Sequence, residues 1–481
     1  MSLKKYALKL RGSLVPQGIT RWGVVMVILI IAIVMGFGVR FFRWDLFGLS
    51  RNFTRQPVEE NSGSIKGGFA LAPYFLGFDK PRTFLLLFLN NTEMRPGGGF
   101  IGSYGILKIN KGKILSFTTS GSENLDWNAP VDFKIDPPAP IKKYLAQPLW
   151  YFRDSNWSPD FKISSENTLR FYAAEGGAEA SALDGVIGVT PTVLKGLLAV
   201  TGPLEVNGKT YVPEKVVEEL EYHVEYGYKD AGQQVAERKT LIGEMGSALM
   251  HKITSVPSWQ WKSMLDLFER MVKEKHVMLF SKDIAVQKTI EELGWGGRQA
   301  GVPMSTDFVQ VVDANLASLK TDTVIDRAFT YSIKRAGNNE WVGEFSATYA
   351  HTGSYDWKTT RYRSFTRLYV PVSAALRESN GFIDDVKSKK PVPAEVGVEG
   401  DKQSFGGFWF VEPKGSETIR WVFTLPPSVQ EQLNAGVYKL YAQKQLGLER
   451  SPRLTVQVDF GTTVRRFEGD LSHDQIIEFK R

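Results

Sequence analysis

An uninterrupted apolar run close to the N-terminus decides where the rest of this chain can lie. Residues 22–39, WGVVMVILIIAIVMGFGV, contain no charged side chain over 18 positions. A helix of that length is roughly 27 Å long, close to the hydrocarbon thickness of a bilayer. The following RFFRW at 40–44 offers no small-residue cleavage site, which disfavours a removable signal peptide. We therefore expect a retained transmembrane helix over residues 22–39.

The positive charge of the chain is concentrated beside that run. Residues 1–45 contain seven Lys or Arg and one Asp, which account for +6 of the net charge of +7. Five of the cations precede the run, so the positive-inside rule predicts a cytoplasmic N-terminus and an extracytoplasmic body, with the lipid bilayer of the cell membrane as one partner. The rest of the chain is nearly neutral. This excludes a nucleic-acid partner, because phosphate binding needs a clear excess of Lys and Arg.

Two folded domains are expected beyond the membrane. From 69 to 326, apolar runs such as TFLLLFL at 83–89 alternate with helical patterns, which is typical of an α/β domain with a mixed sheet covered by helices. After 327 the hydrophobic pattern has period two, which indicates an antiparallel β-sandwich of about seven strands. The complete prediction is a cytoplasmic basic tail at 1–21, a transmembrane helix at 22–39, a juxtamembrane linker at 40–68, an α/β domain at 69–326, a β-sandwich at 327–465 and a polar C-terminal tail at 466–481.

Local signals place the helices of the α/β domain. Ser158-Pro159 and Thr190-Pro191 each put an N-cap residue before a proline, which predicts helices that run towards Glu175 and Gly202. Further helices are expected over 213–226, 235–254, 258–275 and 282–293. In the second of these, one apolar stripe is formed by Ile242, Met245, Leu249 and Ile253.

Several common kinds of site are not supported by the sequence. The chain has no cysteine, which excludes disulfides, thiolate metal sites and cysteine nucleophiles. Its five histidines lack the spacing of metal ligands. The segment GGGFIG at 97–102 matches a dinucleotide-binding motif, but strand-like SYGILKI follows it where the motif requires a helix. We therefore reject a Rossmann site.

The segment NNTEMRPGGGF at 90–100 is the strongest candidate for a binding site. It follows the most apolar predicted strand, at a strand end where open sheets commonly place ligands. The guanidinium of Arg95 is a rigid fork of donors suited to phosphate oxygens, and glycines such as Gly98 and Gly99 let backbone approach a ligand closely. The alternative is a bulged turn in which Arg95 pairs with Glu93.

Five segments together resemble the bacterial domain-of-unknown-function 4012 family. They are the arginine and glycine segment above, SNWSPDF at 155–161, LDGVIGV at 183–189, VTGPLEV at 200–206 and FGGFW at 405–409. The resemblance covers most of residues 70–460. It implies a single-pass membrane protein with an extracytoplasmic body, in agreement with the predicted anchor, and it implies no particular activity.

The order of predicted elements is also similar, more distantly, to the LytR-CpsA-Psr glycopolymer transferases. That resemblance implies an α/β fold of the same kind, transfer of a glycan from a polyprenyl pyrophosphate to peptidoglycan, and a divalent metal such as Mg²⁺. Arg95 matches the family's first arginine, and Arg238 matches the last arginine of its second segment. The sequence departs from the family where Pro96-Gly97-Gly98 replaces a metal-binding Ser/Thr-Asp pair, and where Gln233 replaces an arginine.

These resemblances and segments define the candidate site. The implicated residues are Arg95, Asp230 and Arg238 as catalytic groups, Glu93, Gly98, Gly99, Asn156 and Lys239 as substrate-binding groups, and Asp160 and Asp230 as metal ligands. Each has a structural alternative: Asp230 as a turn residue, Asp160 as an acid in a first helical turn, and Arg238 with Lys239 as a solvated helix face. Aromatic residues that either line a sugar or lipid groove or belong to the core are Tyr222, Tyr226, Tyr228, Trp150 and Trp157.

Two functions follow as hypotheses. In the first, a membrane-anchored cell-envelope protein binds or transfers a polyprenyl-pyrophosphate-linked glycan, with Arg95 and Arg238 converging on one anion pocket. In the second, the same groove binds wall polymer or an envelope protein partner without catalysis, and the β-sandwich is an assembly module. Dependence on Mg²⁺ distinguishes them, because transfer requires it.

Overall fold

A computed structural model describes residues 70–223, 226, 244–245, 248–249, 252–253, 255–337 and 340–481. The basic tail, transmembrane helix and linker predicted over 1–68 lie outside these residues. Among the helices that are described, none has both the length and the apolar character needed to cross a bilayer.

A mixed sheet forms the centre of the first domain. The strands are β1 (Arg82–Asn90), β2 (Phe100–Asn110), β3 (Lys113–Gly121), β4 (Gly185–Val189), β5 (Leu204–Val206), β6 (Lys209–Tyr211) and β7 (Val277–Ser281). Five of the described strands form one sheet in the order β3-β2-β1-β4-β7, while β5 and β6 pair separately. Only the β1–β4 pairing in that sheet is parallel. The strand-like segment after the glycines belongs to β2, which forms an antiparallel hairpin with β3.

Helices cover both faces of this sheet. They are α1 (Ser122–Trp127), α2 (Ala139–Tyr144), α3 (Phe161–Ala174), α4 (Pro191–Thr201), α5 (Val216–Tyr222), α6 (Trp261–Lys273) and α7 (Ile284–Glu292). Side chains of β1 alternate between two cores: Phe84 and Leu86 pack with α4 and α6, whereas Leu85 and Leu87 pack with α1 and α3. Both faces of β1 are therefore apolar, as its sequence predicts.

The second domain is built from two sheets that share one core. Its strands are β8 (Asp307–Asn315), β9 (Ile325–Arg335), β10 (Trp341–His351), β11 (Tyr362–Pro371), β12 (Ala375–Asn380), β13 (Glu395–Glu399), β14 (Lys402–Val411), β15 (Ser416–Thr424), β16 (Val437–Gln443), β17 (Arg453–Asp459), β18 (Val464–Asp470) and β19 (Gln475–Lys480), with one helix, α8 (Pro427–Asn434). The sheet orders within the described residues are β12-β15-β10-β9-β17-β18 and β13-β14-β11-β8-β16-β19. Trp341, Trp409 and Trp421 are buried between them.

The β-rich second domain was expected, but its predicted bounds and strand number are corrected. It starts with β8, about 20 residues before the predicted boundary at 327, because β8 hydrogen-bonds to β11 and β16. The segment 466–481, predicted as a polar tail, contributes to β18 and β19 at the two sheet edges. The domain therefore has more strands than the seven of an immunoglobulin-like sandwich.

Candidate functional site

The glycine segment forms a tight loop between β1 and β2. Gly98 and Gly99 have backbone φ values of +110° and +137°, which residues with a side chain rarely adopt. The Asn156 side-chain amide donates a hydrogen bond to the Gly99 carbonyl at 2.8 Å, and the Gly97 N–H donates to the Asn156 carbonyl at 2.9 Å. A Cβ at Gly99 would lie 2.6 Å from the carbonyl oxygen of Asn90. Asn156 and Asn90 therefore fill the space that was expected to receive a ligand.

The opposite side of the loop is closed by the second domain. Gly447, which follows β16, has φ +71°, and a Cβ there would lie only 2.0 Å from the Gly98 carbonyl oxygen. The Asn91 side-chain amide donates to the Gly447 carbonyl at 2.8 Å. Gly447 thus permits close contact between the backbones of the two domains. These contacts are all made within the protein, and the expectation that Gly98, Gly99 and Asn156 contact a substrate stays a prediction.

Arg95 lies inside this junction. Its Nε is 2.8 Å from Asp154 Oδ1, and the two side chains are only 6% and 8% exposed. Its Nη1 donates to the carbonyls of Asn315 in β8, at 2.6 Å, and of Met94, at 3.2 Å. A guanidinium held in this way joins the two domains. This geometry does not support phosphate binding by Arg95. The alternative, an ion pair within the protein, is observed, but the partner of Arg95 is Asp154, whereas Glu93 contacts Lys320.

Asp160 is engaged on both carboxylate oxygens. Oδ1 caps α3 by accepting hydrogen bonds from the N–H groups of Lys162 and Ile163. Oδ2 contacts Arg298 Nε at 2.8 Å and the Gln299 N–H at 3.1 Å. This is the structural alternative, with Asp160 at the N-cap rather than in the first turn. Throughout the described ranges, no group of three or more His, Cys, Asp or Glu residues is arranged to hold a metal.

Three of the predicted site residues cannot be placed. Asp230, Arg238 and Lys239 lie outside the described residues. The convergence of Arg95 and Arg238 on one anion pocket therefore stays a prediction, and the Arg95 side of it is already occupied by Asp154.

A partly open charged cluster lies next to the junction. It consists of Glu93, Glu221 of α5 and Lys320, which precedes β9. Lys320 Nζ is 3.3 Å from Glu93 Oε1 and 4.0 Å from Glu221 Oε1, and the Thr92 hydroxyl donates to Glu221 at 2.9 Å. The side chains of Glu93 and Glu221 are 27% and 15% exposed. Burial raises the pKa of Glu221 to about 7, although Lys320 and Thr92 oppose that shift.

An aromatic trio continues this surface. Tyr222 and Tyr226 are 42% and 43% exposed, and their ring centroids lie 5.4 and 5.6 Å from that of Trp357, in edge-to-face geometry. Lys358, beside Trp357, forms an ion pair with Glu218 of α5. The trio is thus composed of two predicted aromatic residues and one from the second domain.

The other predicted aromatic residues do not join the trio. Trp150 packs on Phe171 at 4.8 Å between centroids, and Trp157 lies under the guanidinium of Arg367. Tyr228 lies outside the described residues. Trp150 and Trp157 therefore follow the structural alternative.

Comparison with known families covers four of the five segments found in the sequence, whereas FGGFW at 405–409 lies outside the match. Residues 79–224 match the family described as a protein of unknown function, DUF4012. The first domain carries the DUF4012 segment. No curated protein matches the chain. The similarity to LytR-CpsA-Psr transferases stays a prediction.

Solved structures give only weak likenesses. A putative nutrient binding protein from Legionella pneumophila is 12% identical with a TM-score of 0.20, over 31% of this chain and 54% of that one. An M1 zinc metallopeptidase from Deinococcus radiodurans is 11% identical with a TM-score of 0.15, over 28% and 32%. This chain thus spans about half and about a third of those chains, and likenesses of this size carry no argument.

The DUF4012 segment supplies only part of the open surface. Glu93, Glu221 and Tyr222 lie within it, whereas Lys320 and Trp357 come from the second domain. The sequence signalled Tyr222 and Tyr226 as aromatic residues on a helix. It offered no comparable signal for Lys320 or Trp357, which lie in connections between strands.

Proposed function

We propose that this protein is a membrane-anchored, extracytoplasmic cell-envelope protein that binds a glycan at the charged cluster and the aromatic trio. The proposal rests on one observation: Tyr222, which follows Glu221 on α5, and Tyr226 are both substantially exposed and contact Trp357 edge to face. Aromatic rings with a polar edge can cover the apolar face of a sugar, and a few placed charged groups then select its orientation. Glu93, Glu221 and Lys320 offer such acceptors and donors.

Binding without transfer is the function that the described residues support best. A pyrophosphate clamp needs several cations and a metal held by carboxylates. Arg95 is committed to Asp154, and both oxygens of Asp160 are occupied by protein donors. The described residues therefore do not fit a Mg²⁺ site, and no catalytic step is assigned to them.

A binding measurement on the full-length protein in detergent tests the proposal. The probes are purified peptidoglycan fragments and an undecaprenyl-pyrophosphate-linked oligosaccharide, each titrated calorimetrically. We expect Tyr222→Ala and Trp357→Ala each to weaken binding about tenfold, the loss that corresponds to about 1.4 kcal/mol. Trp127→Ala is the matched control, since Trp127 is 76% exposed and lies on α1. Equal losses in the control, or no binding of either probe, would refute the proposal.

The same probes distinguish glycan transfer from binding alone. If both probes are present and transfer of the glycan phosphate to peptidoglycan occurs, polyprenyl monophosphate is released, and this release should require Mg²⁺ and stop with a chelator. Binding alone should continue in the chelator. The remaining alternative is an envelope protein partner. It would be indicated if an envelope protein bound to this protein and neither glycan probe competed with that binding.

A further inference from the structure

Two buried carboxyl groups meet in the first domain, away from the proposed glycan site. Asp126 lies on α1 and Glu175 ends α3, with residue exposures of 6% and 1%. The two carboxyl groups converge on adjacent residues of one turn, because Glu175 accepts the Phe152 N–H and Asp126 pairs with Arg153. Two buried acids brought together beside one arginine are expected to retain a proton between them.

The remaining oxygens of the pair fix where that proton lies. Glu175 Oε1 accepts the Phe152 N–H at 2.7 Å, and Asp126 Oδ2 forms an ion pair with Arg153. Asp126 Oδ1 and Glu175 Oε2 are buried and have no hydrogen-bond partner in the described part of the chain. These are the two atoms left for the shared proton. Such proton sharing is the expected outcome when two acids are buried in contact.

The surrounding charges also favour a single proton. Arg153 and Asp154 face the pair from the turn at 152–154, and Tyr104 faces it from β2. Asp154 is neutralised by Arg95, so Arg153 is left to balance one negative charge on the pair. Burial, followed by the contact with Asp126, raises the pKa of Glu175 to about 9. The pKa of Asp126 is also raised, mainly by burial.

We propose that Asp126 and Glu175 form a proton-locked latch, which holds α1, the turn at 152–154 and the end of α3 together and loosens when its shared proton is lost. Loss of the proton leaves two buried negative charges beside one arginine. The same turn carries Asp154, which holds Arg95 against β8. The latch therefore couples alkaline pH to the junction between the domains.

The pH dependence has a definite sign. The pKa of Glu175 is higher in the folded state. Between about pH 4.5 and 9, the folded protein therefore retains a proton that the unfolded chain has already released. The contribution of Glu175 to stability is complete below that range and falls as pH rises through it. One proton gives at most about a tenfold change in the unfolding equilibrium constant per pH unit.

Glu175→Gln tests the latch, because a glutamine amide can donate to Asp126 at every pH. We expect the unfolding constant of wild-type full-length protein, divided by that of Glu175→Gln, to rise by about tenfold per pH unit near pH 8. Glu166→Gln is the control, since Glu166 lies on the same helix with a side chain 54% exposed. Identical pH profiles for wild type and Glu175→Gln would overturn the proposal.

A local measurement distinguishes the latch from a general effect on stability. Trypsin cleavage after Arg153, relative to cleavage at other basic sites, should increase several-fold in wild type from pH 7.5 to 9.5. It should stay constant in Glu175→Gln, or in Asp126→Asn if the first variant does not fold. Cleavage at Arg153 that changes equally in wild type and variant would show that the turn does not depend on this proton.

Discussion

Replacement of Arg95 by methionine separates a structural role from a phosphate-binding one. Methionine fills a similar space but leaves the buried carboxylate of Asp154 without its cation. It also removes the donors to the carbonyls of Asn315 and Met94. Removing one partner of a buried ion pair costs about 3–5 kcal/mol, so we expect the free energy of unfolding to fall by that amount.

Denaturant unfolding of the full-length protein, followed by circular dichroism, measures this change. Arg170→Met is the control, because Arg170 is exposed on α3 and a substitution there should cost at most about 0.5 kcal/mol. In the double variant with Asp154→Leu, the orphaned charge is removed, so the loss should be smaller than the sum of the single losses by about 0.5–3 kcal/mol. An Arg95→Met protein as stable as the control would refute the structural role.

Two further predictions concern the junction between the domains. Gly447→Ala should lower the free energy of unfolding by about 3 kcal/mol or more, because a Cβ there meets the Gly98 carbonyl oxygen. The control Gly208→Ala, which has a similar φ of +75° but open space around it, should cost only about 1 kcal/mol. Equal shifts of the thermal unfolding midpoint in the two variants would contradict this. Burial lowers the pKa of Lys444 to about 7, so between pH 7 and about 10 the unfolded chain holds a proton that the folded protein lacks. The contribution of Lys444 to stability should therefore rise with pH over that range. Lys444→Met should remove this rise, and an unchanged dependence of stability on pH in the variant would contradict the prediction.

The individual elements of the first domain were predictable because their signals are local. The run TFLLLFL predicted a strand buried on both faces, and β1 is buried on both. Thr190-Pro191 and Gly202 bracket α4 as expected. In the predicted helix at 235–254, Met245, Leu249 and Ile253 are fully buried, which confirms that part of its apolar stripe, while Ile242 lies outside the described residues.

The domain boundary was not predictable from periodicity. All nine residues of β8 are buried, so its two faces cannot differ in polarity as those of a half-exposed strand do. Its polar residues are satisfied within the interior: Asp307 accepts hydrogen bonds from Tyr331 and Tyr438, and Asp313 pairs with Arg327. At the other extreme, β18 is exposed on both faces and has the composition of a polar tail.

The partners of the site residues depended on long-range contacts. The sequence suggested Glu93 as the partner of Arg95 because it is two positions away. The observed partner, Asp154, is 59 positions away and is placed by a short turn that no motif marks. Spacing along the chain therefore identified Arg95 as a residue with a role, but not whether its guanidinium faces a ligand or another part of the protein.

A glycine-rich loop lacks side chains where another group must approach its backbone closely. Its sequence does not show whether that group belongs to a ligand or to the protein itself. Here Gly447 of the second domain makes room for the backbone of Gly98, while a Cβ at Gly98 would meet the side chains of Leu89, Met278 and Leu446. The open surface lies beside this contact and draws Glu221 from one domain and Lys320 from the other. Neither domain alone carries both groups. A substitution that loosens the junction, such as Arg95→Met, should therefore weaken glycan binding without touching the glycan, whereas Tyr222→Ala should weaken binding and leave stability nearly unchanged.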